Sequence, residues 1–314
     1  MSILHELTYK VTELAGEVRE HINTHRYQSV LLDKANVWNQ ICSSLDVIDD
    51  TKDAINSYID IDYPKESGAK YLSTYGILQA LFIQQDALKH LSESFEIEFE
   101  KDQKLKKIRE IRNAAIGHPT KLTRDKKLYY FHISRPSLKK DGFDLIQYDG
   151  SKSAKFIRVN ILDLIQEQLE VIVDKYKFVV NELKEIDKNH KEKFMGNSLQ
   201  EIFHSGMDYS FQKISSGIES STYGDKEWGH SNLKIIREAY EKFKNELSNR
   251  NELNDWTTHE LNEYFHAISR LEEFYSDKSD WITATDARIY LDYISTNHNN
   301  FVEIAKEIDE AYSE

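Results

Sequence analysis

The residues best suited to chemistry lie in one short segment, where a basic helical pattern stops at Gly-His-Pro. Arg112, Asn113 and His118 fall within seven residues there. Arginine offers a rigid fork of N–H donors that suits phosphate oxygens, and histidine transfers protons near neutral pH. An asparagine amide orients either group or a water molecule. These three residue types together suit phosphodiester chemistry that needs no metal ion.

The elements around this segment must bring two distant side chains together. Six residues correspond to about 600° of an ideal helix, so Arg112 and His118 would point to different sides. Gly117 is expected to be the left-handed residue after a helix end, and Pro119 prevents the helix from continuing. The break then lets the imidazole of His118 leave its helical position.

The segment belongs to a basic zone in an acidic chain. Residues 101–140 contain thirteen Lys or Arg against three Asp or Glu, whereas the whole chain has a net charge of −13. The overall charge argues against general coating of nucleic acid, and the local excess favours an anionic ligand. Alternatively, these lysines form the solvent-exposed surface of a helix and a loop, or their charge complements the acidic residues in the rest of the chain. The residues expected to bind a substrate are Lys107, Arg109, Lys121 and Arg124.

Other classes of site find little support. Cys42 is the only cysteine, which excludes an intrachain disulfide and a zinc site built from cysteines. The sequence contains no glycine-rich phosphate loop, nucleophile elbow or His-Glu-x-x-His helix. We therefore expect no cofactor and no metal. The sequence has neither a signal-peptide pattern nor an apolar run of the ~20 residues that span a membrane, so we expect a cytoplasmic protein with no membrane partner.

Composition and periodicity predict an all-α fold. Three prolines and eleven glycines in 314 residues are too few for a sheet protein with many turns. Apolar residues recur at helical spacing, with an interruption expected near residues 49–51. The predicted helices are 2–24, 27–60, 67–95, 102–116, 160–192, 198–216, 226–249, 253–277, 284–296 and 299–312. Trp228, Trp256 and Trp281 are expected to anchor the C-terminal helices.

A change of period within residues 127–160 predicts a small β insertion. Runs at 128–134, 143–148 and 154–159 are rich in strand-forming residues and are separated by turn residues. They predict two or three antiparallel strands. A charged, apolar-poor run precedes Met195-Gly196-Asn197, which is the best candidate linker. The chain is therefore divided into residues 1–195, with the insertion, and a C-terminal helical domain of unknown role, residues 197–314.

Three adjacent polar residues interrupt the most apolar helix. Gln84, Gln85 and Asp86 need hydrogen-bond partners if they are buried. Either they face solvent at an edge, or they support a polar site. The second hypothesis makes Gln85 and Asp86 supporting residues of the arginine–histidine segment.

The segment Arg112-Asn113-Ala-Ala-Ile-Gly117-His118 resembles the Arg-x(4–6)-His motif of HEPN-domain ribonucleases. In that family a polar residue typically follows the arginine, as Asn113 does here. The resemblance covers about residues 1–195 and implies an up-and-down helical bundle. Arg19 and His25 have the same spacing, but glutamate follows that arginine and no helix break separates the pair, so we reject it.

The resemblance implies a metal-independent endoribonuclease that works as a homodimer, with two copies of the motif around one phosphate. His118 would act as general base or acid, Arg112 would stabilise the phosphoryl oxygens, and Asn113 would position one of them. RNA would be cleaved to a 2′,3′-cyclic phosphate and a 5′-hydroxyl. Such an enzyme would be a toxin or anti-phage defence effector, with an antitoxin or defence-system protein as the partner to seek. The alternative is a catalytically inactive module that binds a protein or a nucleotide.

The same basic zone would hold the RNA backbone, and its aromatic residues have two interpretations. Tyr129, Tyr130 and Phe131 lie in the first predicted strand of the insertion. They would either stack on bases or, as we favour, pack the core of the insertion.

Overall fold

The structure is a computed structural model that describes residues 2–32, 34–100, 102–124, 126–150, 153–204, 206–220, 223–276 and 281–313. Lys101, Asp125 and the side chain of Arg124, all in the predicted basic zone, lie outside this description. The described residues form ten α-helices and one four-stranded antiparallel sheet. The predicted fold class, all-α with a small β insertion, is confirmed. Across the same ranges, none of the helices has both the length and the apolar character that a membrane crossing requires.

The chain forms two compact units. The first contains Met1–Asn23 and Leu31–Glu185, and the second contains Thr24–Val30 and Ile186–Glu314. The division therefore falls inside the long helix α6 (Ile161–Phe194), about ten residues before the linker expected at residues 195–197. That expected linker is instead the turn that ends α6, where Gly196 has a φ of +84°. The last turns of α6 belong to the second unit, where His190 Nε2 donates a hydrogen bond to the Arg250 carbonyl at 3.0 Å.

Five helices build most of the first unit. They are α1 (Ile3–Asn23), α3 (Ala35–Asp60), α4 (Ser67–Ser94), α5 (Gln103–Arg112) and the first part of α6. The short α2 (His25–Leu32) follows α1 in sequence, but most of it belongs to the second unit. The interruption expected near residues 49–51 is wrong, because α3 runs through them unbroken. Thr51 is buried there, and its hydroxyl donates to the carbonyls of Val47 and Ile48 at 2.7 and 3.0 Å. Helix breaks lie earlier, at Thr24 between α1 and α2 and again between α2 and α3. The expectation of no helix break between Arg19 and His25 is therefore wrong, and the rejection of that pair rests on the glutamate that follows Arg19.

The core of the first unit contains a buried cluster of three glutamines. Gln84 and Gln85 of α4 are 0% and 3% exposed, so the solvent-edge hypothesis is wrong for both. Gln85 Nε2 donates to Gln168 Oε1 of α6 at 2.7 Å. Gln168 Nε2 donates to Gln84 Oε1 at 2.9 Å and to the Leu81 carbonyl at 3.0 Å. These bonds tie α4 to α6 inside an otherwise apolar interface.

The sheet has one strand more than predicted. Its strands, in spatial order, are β1 (Leu122–Arg124), β2 (Lys127–Ile133), β3 (Gly142–Tyr148) and β4 (Lys155–Asn160). One face buries Ile133, Leu145 and Val159 in the core of the first unit. Gly142 is required by a close approach of two strands, since a Cβ there would lie 1.9 Å from the Val159 carbonyl oxygen.

The second unit has its own aromatic core. Its main helices are α7 (Met207–Glu219), α8 (Tyr223–Asn249), α9 (Asp255–Tyr275) and α10 (Ala284–Ala311). The break predicted between residues 296 and 299 is wrong, because α10 is continuous and His298 is buried against the Tyr240 hydroxyl at 2.8 Å. The expected tryptophan anchors are also wrong: Trp228, Trp256 and Trp281 are 63%, 60% and 88% exposed. Tyr240, Tyr264, Phe243 and Phe301 fill the core instead.

Candidate active site

Helix α5 ends in a wide turn rather than at a left-handed glycine. Asn113–Gly117 form one π-helical turn, and the His118 N–H donates to the Asn113 carbonyl at 2.7 Å. The φ of Gly117 is not positive, so the prediction of a left-handed residue there is wrong. The wider turn ends the helix without one, since His118 leaves helical space at φ −137° and Pro119 has no N–H to continue the ladder. Single π-helical turns are frequent at functional sites.

The segment is held at both ends. At the start of α5, the Asp102 carboxylate accepts hydrogen bonds from the backbone N–H groups of Lys104 and Leu105 at 2.7 and 3.1 Å. Beyond the turn, the Phe131 N–H of β2 donates to the Pro119 carbonyl at 2.7 Å. The β insertion therefore fixes the backbone on the C-terminal side of His118, which a free surface loop would not do.

The Arg112 guanidinium is fixed by three hydrogen bonds and a ring. Nε and Nη2 donate to Gln79 Oε1 of α4 at 3.1 and 2.7 Å. Nη1 donates to Asn113 Oδ1 at 3.0 Å. The guanidinium carbon lies 4.3 Å from the centroid of the Phe82 ring, within range of a cation–π interaction. The side chain is thus positioned before any substrate arrives.

The guanidinium also lies over the backbone just before the histidine. A Cβ on Gly117 would be 2.9 Å from Arg112 Nη1 and 3.2 Å from Asn113 Oδ1. Arg112 therefore reaches along the π-helical turn to the residue that precedes His118, although an ideal helix would separate the two side chains. His118 is exposed, whereas Asn113 is half-buried. Among the described residues, three of the five guanidinium N–H groups are engaged, which leaves one each on Nη1 and Nη2.

A second arginine packs on the same ring. Arg109 Nη1 donates to Asp86 Oδ1 at 2.8 Å, and its guanidinium carbon lies 4.0 Å from the Phe82 centroid. The structure thus brings Asp86 to the site as the partner of Arg109, and both residues are half-buried. Arg109 connects α5 to α4 in this arrangement, so it is less available to a substrate than we expected.

Gln79 and Phe82 are site residues that we did not identify from the sequence. They share a face of α4 with Asp86, at spacings of three and four residues. Arg109 and Arg112, three apart on α5, face them. The paired spacing on two consecutive helices was the available signal, and it becomes informative only once α4 and α5 are known to be in contact.

The remaining residues predicted for the site differ in where they lie. Lys107 is exposed on α5, with its ammonium 3.5 Å from Glu167 Oε2 of α6. Lys121 is exposed between the turn and β1, and Arg124 lies in β1 with its side chain outside the described part of the structure. Gln85 faces Gln168 in the core, as given above, and does not reach the surface near His118.

A groove runs beside the turn, between α5 and the inner face of the sheet. Its volume is about 510 Å³, which is in the range of small-molecule sites. The rings of Tyr129 and Phe131 are stacked within it, with centroids 6.4 Å apart. Its lining consists of Lys107, Glu110, Ile111, Asn113, Ala114, Leu122, Thr123, Tyr129, Phe131, Leu145, Gln147 and Ile157. Asn113 therefore faces both Arg112 and an aromatic groove.

The site as a whole combines a fixed guanidinium, an exposed imidazole and a groove lined in part by two aromatic rings. Such a set can bind a phosphate, move a proton and hold a planar group. Within the described ranges, no three His, Cys, Asp or Glu side chains are grouped so as to hold a metal ion. Comparisons with models of known protein families, with curated proteins and with solved structures found no match to this chain.

Proposed function

We propose that this protein is a metal-independent endoribonuclease in which Arg112, Asn113 and His118 act on one phosphodiester of an RNA strand. The observation that carries the proposal is the position of the Arg112 guanidinium over Gly117, the residue that precedes the exposed His118. A fork of donors and a proton-transfer group then lie on one turn, inside a zone of excess positive charge. The resemblance to HEPN ribonucleases supports the same assignment.

The proposed reaction is an attack by the RNA's own 2′-hydroxyl on the adjacent phosphorus. The imidazole of His118 accepts the proton from the 2′-hydroxyl as the O2′–P bond forms and the P–O5′ bond breaks. The leaving 5′-oxygen takes a proton from a second imidazole, His118 of the partner subunit in a homodimer. The products are a 2′,3′-cyclic phosphate and a 5′-hydroxyl, and no other reactant is consumed.

Arg112 and its neighbours supply the electrostatic part of this mechanism. The remaining N–H groups on Nη1 and Nη2 bind the non-bridging oxygens, where negative charge grows in the transition state. The Asn113 amide nitrogen offers a donor to one phosphoryl oxygen while its Oδ1 holds Arg112. Because Gln79 and Phe82 fix the guanidinium from the other side, little reorganisation is needed when RNA binds.

The direct test is RNA cleavage by the full chain in the presence of EDTA. We expect His118→Ala to lower the rate by about 10²–10⁴-fold and Arg112→Ala by about 10²–10³-fold. His25→Ala is the matched control, since His25 is also an exposed histidine but belongs to the rejected pair. Undiminished cleavage by either site variant contradicts the mechanism, and abolition of wild-type cleavage by EDTA contradicts the metal-free claim.

The proposed cellular role is that of a toxin or anti-phage defence effector that acts on RNA in the cytoplasm. Its regulation would then depend on an antitoxin or a defence-system partner. Expression of the wild type is expected to arrest growth, and His118→Ala is expected to relieve the arrest. Equal growth with both chains would contradict this role.

A catalytically inactive nucleotide-binding module is the second candidate. The groove favours it, because stacked Tyr129 and Phe131 suit a base while Asn113 and Gln147 offer amides to its edge. This alternative predicts a rise in melting temperature with nucleoside monophosphates that Gln147→Ala abolishes, and no RNA cleavage. Cleavage that depends on His118 would exclude it as the sole function.

A further inference from the structure

The outer face of the sheet, opposite the groove, is an exposed aromatic surface. Strand alternation places Tyr130 and His132 of β2, Tyr148 of β3 and Phe156 of β4 on this face. Tyr130, Tyr148 and Phe156 are 41%, 39% and 66% exposed. The His132 ring stacks on Tyr148, with centroids 5.7 Å apart and an interplanar angle of 18°. We call these four residues the aromatic platform.

The strand register makes the platform continuous. Tyr130 lies directly opposite Tyr148, and Phe156 lies opposite Ile146, two residues from Tyr148 on the same face. Opposed side chains in a sheet are about 4.5–5.5 Å apart, and diagonal ones about 7–8 Å. These positions therefore form a strip across three strands, in which the ring contact among the described residues is that of His132 with Tyr148. Large exposed apolar patches of this kind usually mark a binding surface.

The charge around the platform favours a polyanion. Residues 121–158 contain ten Lys or Arg against four Asp in a chain with a net charge of −13. Arg158 projects from the same face, and its side chain is 46% exposed. Its guanidinium nitrogens lie 3.3 and 3.5 Å from the carboxylates of Asp141 and Asp144, so these ion pairs offset its charge. The positive excess of the segment therefore comes from its other basic residues. Aromatic faces combined with basic side chains are typical of surfaces that bind single-stranded nucleic acid.

Strand β2 also links the platform to the proposed active site through the backbone. Strand β2 carries Tyr130 and His132, and the residue between them, Phe131, donates its N–H to the Pro119 carbonyl. Pro119 directly follows His118. A strand of RNA that crosses the platform is thus held by the same element that fixes the catalytic turn.

We infer that the aromatic platform binds single-stranded RNA by stacking unpaired bases on Tyr130, Tyr148 and Phe156. The choice of RNA rests on the proposed ribonuclease function. The platform binds the part of the RNA strand that lies beyond the cleaved phosphodiester. Tyr129 and Phe131, on the opposite face, are not part of this surface. Stacking is tolerant of sequence because every base has a π-face, so the platform supplies affinity for unpaired strands rather than base specificity.

The test is the affinity of the full-length wild type and its variants for a labelled single-stranded oligonucleotide with 2′-deoxy sugars. Such a strand lacks the attacking hydroxyl and stays intact during the measurement. We expect Phe156→Leu and Tyr148→Leu each to weaken binding about tenfold, because leucine keeps apolar area but removes the ring. Phe156→Tyr keeps the ring and is expected to retain wild-type affinity. These positions are exposed, so thermal unfolding should be unchanged.

The matched control is Phe178→Leu, which removes an aromatic ring that is 51% exposed on α6, away from the sheet. It should bind as the wild type does. Wild-type affinity in both Phe156→Leu and Tyr148→Leu overturns the inference, as does equal binding of duplex and single strands. A Phe156→Glu variant that turns a dimer into a monomer also overturns it, since the platform would then be an interface between two copies of this chain.

Cleavage assays separate this inference from the proposed function. If His118→Ala abolishes cleavage while platform variants bind normally, the platform inference fails and the nuclease assignment stands. If platform variants lose binding while His118→Ala and Arg112→Ala cleave normally, the assignment of Arg112 and His118 as catalytic residues fails and the platform stands as a binding surface.

Discussion

At the scale of residues, the site depends on Gly117 having no side chain. The Arg112 guanidinium and the Asn113 amide occupy the space that a Cβ would need, at 2.9 and 3.2 Å. The contact at 2.9 Å is shorter than real Cβ contacts, and the contact at 3.2 Å is tighter than most. The first involves a side chain held by Gln79 and Phe82. Gly117 therefore permits the approach of Arg112 to the backbone that precedes His118. This role differs from the left-handed helix end that its position in the sequence indicated.

Substitution of Gly117 should thus damage activity more than stability. We expect Gly117→Ala to lower the rate of RNA cleavage by about 10- to 100-fold, because it displaces the guanidinium from the turn. Gly76→Ala is the control, since a Cβ on that exposed glycine of α4 would meet nothing within 4 Å. Gly76→Ala should leave cleavage unchanged and raise the free energy of unfolding by about 0.5–1 kcal/mol. Wild-type cleavage by Gly117→Ala would contradict the proposed geometry.

At the scale of elements, the long helices were predictable and the turn between them was not. Predicted helices 67–95 and 160–192 correspond closely to Ser67–Ser94 and Ile161–Phe194, because apolar residues repeat at helical spacing along both. The π-helical turn has no such signal: Asn-Ala-Ala-Ile-Gly suits an ordinary helix equally well. The turn is held instead by the hydrogen bond from Phe131 to Pro119 and by those from Arg112 to Gln79 of α4, which are tertiary contacts.

Replacing one glutamine of the cluster that joins α4 to α6 should destabilise the protein. Gln168→Leu leaves Gln84 Oε1 and Gln85 Nε2 buried without their partner. We expect the free energy of unfolding in urea to fall by about 1–3 kcal/mol. Replacing all three glutamines by leucine should recover most of that lost stability, since no glutamine of the cluster then remains buried without its hydrogen-bond partner.

The control for this experiment lies on the same helix. Gln166 is half-buried, and its one side-chain hydrogen bond within the described part of the chain is donated to Glu170, one turn further along, at 2.9 Å. Gln166→Leu should change stability by no more than about 0.5 kcal/mol. If Gln168→Leu proves as mild as Gln166→Leu, the cluster contributes nothing to the packing of α4 on α6.

The second unit should lose stability in mild acid. Burial lowers the pKa of His298 below its ordinary value of 6.5, with Asp208 opposing the shift. A lowered histidine pKa means that the unfolded state binds the proton more readily than the folded state. The stabilising contribution is therefore fully present above pH 6.5 and is lost as the pH falls below that value. Burial lowers the pKa values of His190 and His230 in the same direction.

Urea unfolding at about pH 7.5 and about pH 5 tests this linkage. The wild type should be less stable at the lower pH, and His298→Gln should show a smaller difference between the two conditions. His25→Gln, an exposed histidine in α2, should keep the wild-type difference. An equal pH dependence in His298→Gln and the wild type would show that His298 does not titrate with unfolding.

At the scale of the whole molecule, the sequence predicted the fold class but not how the chain divides. Residues Thr24–Val30 belong to the second unit, far from it in sequence. Arg26 explains this, since its guanidinium bonds to the carboxylates of Asp187 and Glu252. Such long-range ion pairs leave no periodic signal. Arg112 and His118 were identifiable from type and spacing, whereas Gln79, Phe82 and the aromatic platform required the observed packing.

The central claim is that Arg112 and His118 from two subunits complete one active site, and complementation tests it most directly. Arg112→Ala and His118→Ala chains with different affinity tags would be co-expressed and purified through both tags. Their heterodimer keeps one arginine and one histidine at the shared site, so it should cleave RNA faster than either variant alone and more slowly than the wild type. A double-tagged complex no more active than the single variants, or no such complex, would contradict the claim.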